Sequence, residues 1–336
     1  MAQTIACANQ KGGVGKTTTV VNLGSYLALA GERVLVIDLD PQGNATSGLG
    51  CDQRHLDRSI YDAVIESIAL DRLMVETVVP GLCLVPSTIA LAGAEVELAP
   101  LEQRERRLAR LLEPVRDSFD YILIDCPPSL GLLTLNALAA ADRVLVPLQS
   151  EYYALEGLSQ LMATINLVRD HLNPHLELDG VVLTMVDART KLSSDVAREA
   201  RRYLGDRVFA TTIPRNVRLS EAPSHGLPIH RYRPESPGAV AYRALAAEMR
   251  ARDNAAHLSA AKAPGRPLIG VMANANELAA SMHGPSPAGS TGSTGSTGGV
   301  FPPTFDHVKQ PAVYPAGDAA PRKVAEPVAE PVSGPR

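Results

Sequence analysis

The sequence predicts an α/β fold in which a mostly parallel, twisted sheet is covered by helices on both faces. Three observations predict it. Over the first 252 residues, short β-branched runs alternate with helical patterns of about 10 to 20 residues. The runs are continuously apolar, as in strands buried on both sides. The first of them leads through a glycine-rich loop directly into a helix.

Taken in order, Thr4–Ala8 (TIACA) reads as the first strand and Thr17–Ala30 as a helix closed by Gly31, because glycine takes the turn after a helix without strain. Further strands are expected at Arg33–Ile37, Leu82–Pro86, Tyr121–Ile124, Arg143–Pro147, Leu178–Thr184 and Val208–Ile213. Helices are expected at Ser129–Ala141, Leu155–His171, Ser193–Leu204 and Gly238–Arg252, where apolar residues recur at helical spacing. This defines one domain over residues 1–252. From residue 253 to 336 the composition turns to Ala, Pro, Gly and Ser, with the repeat GSTGSTGSTGG at Gly289–Gly299. Such a segment buries too little apolar surface to offset chain entropy, so a disordered C-terminal tail is expected. Within it, Leu268, Val271, Met272, Ala275, Leu278 and Met282 fall near helical spacing, which would suit a short helix formed on a partner. Its polar face carries no Lys or Arg, which argues against an anionic membrane.

The chain has 336 residues, 45% of them apolar, enough for a sizeable core. Its longest apolar runs, such as Val20 to Ala30, fall short of the roughly 20 residues that cross a bilayer. No basic flank and long apolar stretch marks a secretory signal at the start, so a cytoplasmic protein without a membrane partner is expected. Cys7, Cys51, Cys83 and Cys126 lie far apart without CxxC spacing, which suits free thiols better than a zinc site or a disulfide framework. His171 and His175 are separated by Pro174, which breaks the helical geometry of a metal pair. Net charge is −4, yet Val186 to Arg252 holds 13 Lys and Arg against 7 Asp and Glu. One late segment is basic.

The stretch NQKGGVGKTT (Asn9 to Thr18) carries the chemistry. Between a strand and a helix, Gly12, Gly13, Val14 and Gly15 form a loop whose backbone N–H groups and helix N-terminus can surround a polyphosphate. Lys16 then reaches the β and γ phosphates, and the Thr17 hydroxyl ligates Mg²⁺. The strict pattern GxxxxGK[ST] asks for glycine where this chain has Gln10, so the loop is a variant of the P-loop NTPase type. Asp125 ends the apolar run YILID, beside the magnesium, which it would hold directly or through water. Asp38 and Asp40 end the next strand, in VLVIDLDPQGN, where parallel strands present their carboxyl ends to a ligand crevice. Asp38 could instead cap the following loop; Asp40 is read as orienting the attacking water and as a further metal neighbour.

KGGVGKTT together with DLDPQGNAT, ILIDCPPSLG, PLQSEYYALEGL and IPRNVRLSEAPSHG closely resembles the ParA (Soj-like) partitioning ATPases, within the deviant Walker A group that also includes MinD. The resemblance spans about residues 1–252 and leaves the tail uncovered. It implies that the chain is a slow, partner-stimulated ATP hydrolase, that Lys11 is the signature lysine reaching across an ATP-dependent homodimer to the partner's phosphates, and that Thr18 lies against the phosphates. It places Pro214 and Asn216 near the adenine and Glu151 on the dimer-facing side, although Pro214 and Asn216 could merely shape a loop. It also implies that arginines matching Arg189 and Arg218 belong to a DNA-binding surface.

Arg198, Arg201 and Arg202 fall on one face of the expected Ser193–Leu204 helix and join that surface, although such charges can also be a solvated face. With only eight residues before Asn9, no helix-turn-helix precedes the loop, so binding to double-stranded DNA is expected to be non-specific and salt-sensitive. The implied function is DNA partitioning on the nucleoid, with hydrolysis triggered by a ParB-like adaptor. A MinD-like positioning ATPase is the alternative and would need a basic amphipathic C-terminal helix, which the tail lacks. A carboxylation ligase of the same fold would not share the second lysine, and an iron–sulfur ATPase would need interfacial cysteines.

Overall fold

The computed structural model describes residues 2–151, 154–187 and 189–262. Seven strands form one sheet: β1 Gln3–Cys7, β2 Val34–Asp38, β3 Val75–Glu76, β4 Leu82–Val85, β5 Tyr121–Asp125, β6 Arg143–Gln149 and β7 Glu177–Thr184. Their order across the sheet is β3-β4-β2-β5-β1-β6-β7, and every pairing is parallel except the two-residue edge strand β3 against β4. The helices are α1 Lys16–Leu29, α2 Asn44–Gly48, α3 Ile60–Glu66, α4 Ala94–Leu98, α5 Arg107–Leu112, α6 Leu132–Ala140, α7 Ala154–His171, α8 Lys191–Leu204, α9 Val217–Glu221, α10 Ile229–Tyr232 and α11 Pro237–Lys262.

Side chains alternate across each strand, and the sheet therefore feeds two cores. Leu35, Ile37, Ile122, Ile124, Val144 and Val146 face one side, packed with Leu133 of α6 and with Leu161 and Ile165 of α7. Val34, Val36, Leu123 and Leu145 face the other, with Leu23 and Leu27 of α1 and Tyr242 and Leu245 of α11. Continuous apolar runs are what burial on both faces requires.

The expected strand at Val208–Ile213 is not one. It makes only an isolated bridge from Val208 to Val181, with Phe209 N–H donating to the Val181 carbonyl and Ile213 N–H to that of Leu183. Its middle donors are diverted: the N–H groups of Ala210 and Thr211 both bond the Glu248 carboxylate of α11, at 2.8 Å each. A β-branched run is thus pulled off the ladder by a helical glutamate 38 positions after Ala210. The helices α2 to α5, α9 and α10 were not expected; most are one or two turns long, too short for a periodic signal.

The boundary drawn at Arg252 falls inside α11, which continues to Lys262. Asp253 is buried and accepts from Arg143 at 2.6 Å and from the Tyr121 hydroxyl at 2.6 Å. Arg143 also pairs with Asp179 at 2.7 Å. These bonds tie the C-terminal helix to the amino ends of β5, β6 and β7. The tail from residue 263 and its candidate helix at 268–282 lie outside the described residues.

Candidate functional site

The sheet's topology reverses at β1, and the carboxyl ends of β1, β2, β5, β6 and β7 meet there as a crevice. Into it runs the loop between Cys7 and Lys16. Gly13 (φ 74°) and Gly15 (φ 92°) adopt left-handed backbone that a Cβ would strain, whereas Gly12 does not; a Cβ on Gly12 would meet only Pro128, at 4.0 Å. The loop is pinned from three directions. Asn9 Oδ1 accepts from the Lys11 N–H (3.0 Å), Asn9 Nδ2 donates to the Pro147 carbonyl of β6 (2.7 Å), and Thr184 Oγ1 at the end of β7 donates to the Val14 carbonyl (2.8 Å). Asn9 and Thr184 were missed by the sequence reading; a polar residue beside a glycine loop and one ending a buried strand were the available signals.

The N-terminus of α1 is uncapped by any side chain and carries no acidic residue in its first turn. Its free N–H groups and positive dipole end therefore point into the crevice uncompensated. Lys16 is buried there, its Nζ 3.4 Å from the Lys11 carbonyl. Thr17 and Thr18 follow on the first turn of α1, half-buried.

Three carboxylates line the same edge, and their surroundings separate them. Asp38 is fully buried but satisfied: Oδ2 accepts from the N–H and hydroxyl of Thr46 at 2.7 Å each, and Oδ1 from the Asp40 N–H at 3.2 Å. The capping alternative for Asp38 thus matches its geometry, and burial lifts its carboxyl to about 6 in spite of those bonds. Asp40 is buried beside it, with one oxygen accepting from the Gln42 N–H at 2.9 Å. Asp125 pairs in register with Asp38 and with Cys7. Both of its oxygens are buried without a hydrogen bond of normal geometry, although the Thr17 hydroxyl lies near enough to lower its pKa somewhat. Burial first, and then the charges of Asp38 and Asp40, push it well above the usual carboxylate range. An unsatisfied buried carboxylate next to a hydroxyl is an oxygen donor set that a magnesium ion would complete, with the Lys16 ammonium left for the phosphates. The described residues hold no cluster of three or more His, Cys, Asp or Glu, so such an ion would share its shell with phosphate oxygens.

Lys11 sits at the mouth, its Nζ bonded to Glu151 Oε2 at 2.5 Å, with the two side chains 40% and 46% exposed. A pair this exposed is worth about 0–1 kcal/mol, so the lysine is readily released. Pro214 lies opposite Val186 in an isolated bridge, and Asn216 caps α9 by accepting from the Arg218 N–H at 2.8 Å.

The expected DNA-facing arginines are exposed, and four of the five are balanced by a carboxylate two or three residues away. Arg189 pairs with Asp187, Arg198 with Asp195, Arg202 with Glu199 and Arg218 with Glu221, while Arg201 has no ion pair among the described residues. Such local pairs leave the guanidinium groups free to exchange partners. All four cysteines are free thiols, Cys7 and Cys126 buried and Cys51 and Cys83 half-buried.

Comparison with known proteins follows the same lines. A family described as an AAA domain matches residues 2–178. Among solved structures, a Mycobacterium smegmatis protein described as cobyrinic acid a,c-diamide synthase, with bound ATP analogue and magnesium, superposes with a TM-score of 0.67 at 39% identity, over 76% of this chain and 97% of that one. The cell division ATPase MinD of Pyrococcus furiosus does so with a TM-score of 0.64 at 26% identity, over 75% and 100%. Among curated relatives, the sporulation initiation inhibitor protein Soj of Bacillus subtilis is 57% identical over 75% of this chain and 99% of its own length. The chromosome partitioning protein ParA of Myxococcus xanthus is 53% identical over 74% and 88%. Identity is higher toward Soj and ParA than toward the synthase or MinD, and Soj is matched over nearly its whole length, so this chain belongs to the Soj/ParA family of chromosome-partitioning ATPases.

Proposed function

We propose that this ATPase is a DNA-partitioning switch in which ATP joins two copies and the joined pair binds DNA through its phosphates. The observation that carries the nucleotide half is Asp125, a buried carboxylate without a satisfying partner, beside the Thr17 hydroxyl and beneath an uncapped helix N-terminus. Lys16, Thr18 and the loop N–H groups of Gly12 to Gly15 hold the phosphates, and Thr17 and Asp125 hold the metal with Asp40 close by. Magnesium, when bound, supplies charge stabilisation at the phosphate oxygens as hydrolysis proceeds. Asp40 orients the attacking water; Pro214 and Asn216 shape the adenine side.

Lys11 exchanges Glu151 for the phosphates bound by a second copy. Two triphosphates facing each other carry like charge that neither copy neutralises alone, and a lysine from each side offsets it. ADP lacks the γ phosphate, so hydrolysis removes that contact and favours the separated state. Because a Cβ at Gly12 meets almost nothing within the chain, Gly12→Val should bind nucleotide like the wild type yet fail to form a dimer with a non-hydrolysable ATP analogue. Sedimentation velocity alongside a nucleotide titration checks this, and a dimer in the variant would remove the steric argument.

On DNA, Arg189, Arg198, Arg201, Arg202 and Arg218 engage phosphates without reading sequence. Pairing two weak basic patches on one dimer multiplies their effective affinity and couples DNA residence to nucleotide state. A ParB-like adaptor on the cargo stimulates an otherwise slow hydrolysis and so releases the protein from the nucleoid. The test is binding to a non-specific duplex with ATP, with ADP and without nucleotide at two salt concentrations. Wild type should bind only with ATP, and Arg218→Glu should weaken binding at least about tenfold and flatten the log–log salt slope by about 2 for the two copies of a dimer. Indifference to DNA in every nucleotide state would leave the basic segment a solvated face.

A further inference from the structure

At the amino ends of the strands, opposite the phosphate loop, lies a partly open cavity of about 560 Å³. β1 begins there at Gln3 and ends at Cys7 under the loop, so the two sites are roughly 15 Å apart along the strands. Four carboxylates line it, those of Glu177, Asp179, Asp206 and Asp253. Three arginines line it too, but their charge is unevenly available. Arg252 is paired with Glu248 at 2.7 Å, a residue outside the lining. Arg143 is shared between Asp179 and Asp253, and Arg207 bonds the Leu178 carbonyl. With Glu248 counted beside its partner Arg252, five carboxylates meet three arginines, a surplus of two negative charges.

One of these acids is also incompletely bonded. The Asp179 side chain is only 6% exposed, its Oδ1 meets Arg143, and its Oδ2 is buried with no hydrogen-bond partner. A buried carboxylate oxygen of this kind costs free energy unless a donor reaches it. Arg143 Nε and Nη2 are likewise unpartnered, and water alongside a ligand can meet those donors.

We propose that this cavity is a binding site for a small organic dication, a diamine or a guanidino-amine, whose one cationic end bonds Asp179 while the other lies between Glu177 and Asp206. The volume suits a chain of four or five carbons with its water better than a bare metal ion, and the described residues hold no metal-ligating cluster. Charge-assisted hydrogen bonds to a desolvated carboxylate supply the affinity, and the second carboxylate pair selects dications over monocations. The site is independent of the nucleotide crevice and of the partitioning reading.

Titration calorimetry of the full chain with agmatine, and with butylamine as monocation at equal ionic strength, tests it. Saturable one-to-one binding of agmatine is expected, about tenfold tighter than butylamine. The half-exposed and exposed acids Glu177→Gln and Asp206→Asn, which leave the buried ion network intact, should together weaken agmatine about tenfold. Asp179→Asn should weaken it further, with folding checked by circular dichroism. The proposal is overturned by an absence of saturable binding, by equal affinity for butylamine, or by agmatine binding that the Glu177 and Asp206 variants leave unchanged.

Discussion

Asp125→Asn should lose magnesium-dependent ATP hydrolysis by about 10²-fold or more while making the nucleotide-free chain more stable than the wild type. The two halves share one cause. Asp125 is buried at the meeting of β1, β2 and β5 with both oxygens unsatisfied, and burial together with Asp38 and Asp40 opposes its ionisation. An isosteric amide is neutral without taking up a proton, which should be worth on the order of 1–3 kcal/mol, and it removes the group proposed to hold the metal. The pH dependence has a definite sign. Asp38, raised to about 6, and Asp125, raised well above the usual carboxylate range by burial, hold protons in the folded state that the unfolded chain has already released. Stability of the nucleotide-free wild type should therefore be full below pH ~4 as far as these groups are concerned, and fall as pH rises through 6. In Asp125→Asn that fall should shrink. Thermal unfolding at several pH values, paired with phosphate release at saturating ATP, measures both halves; a variant that keeps wild-type turnover would remove Asp125 from the metal site.

Arg143→Leu should destabilise the fold by about 3–5 kcal/mol. Its guanidinium is the shared counter-charge of Asp179 and Asp253, whose side chains are only 6% and 8% exposed. Removing it leaves two buried carboxylates at close quarters, and it frees α11, which Asp253 anchors to Tyr121 and the start of β6. For a chain of this size the loss corresponds to roughly 8–15 °C in Tm. Adding Asp179→Asn to the variant should recover part of the loss, because one of the orphaned charges is then gone; additive losses would mean that the two residues do not interact.

Both predictions concern strand ends, and they divide what could be read from the chain from what could not. The glycine loop, Lys16 and Thr17 were legible because the residues that define the motif are consecutive in the chain, and positions at φ of 74° and 92° call for glycine. Asp125 and Asp38 were legible as strand-end acids, since an apolar run that stops at Asp places it at the carboxyl edge of any parallel sheet. The different fates of those two acids were not legible. Asp38 is satisfied by Thr46 eight residues on, whereas Asp125 is left without a partner, and nothing local distinguishes them.

By itself the sequence determined the α/β class, the phosphate loop at Asn9 to Thr18 and the concentration of arginine after Val186, because periodicity, glycine conformational freedom and charge are properties of neighbouring residues. Only the tertiary structure decided that Lys11 meets Glu151 across 140 positions, that Thr184 holds the loop carbonyl of Val14 across 170, and that Glu248 takes the donors of Ala210 and Thr211 and so keeps Val208–Ile213 out of the sheet. Those bonds depend on which strand lies beside which and where a distant helix lands, and the strand order that sets them is a choice among arrangements whose local patterns are the same.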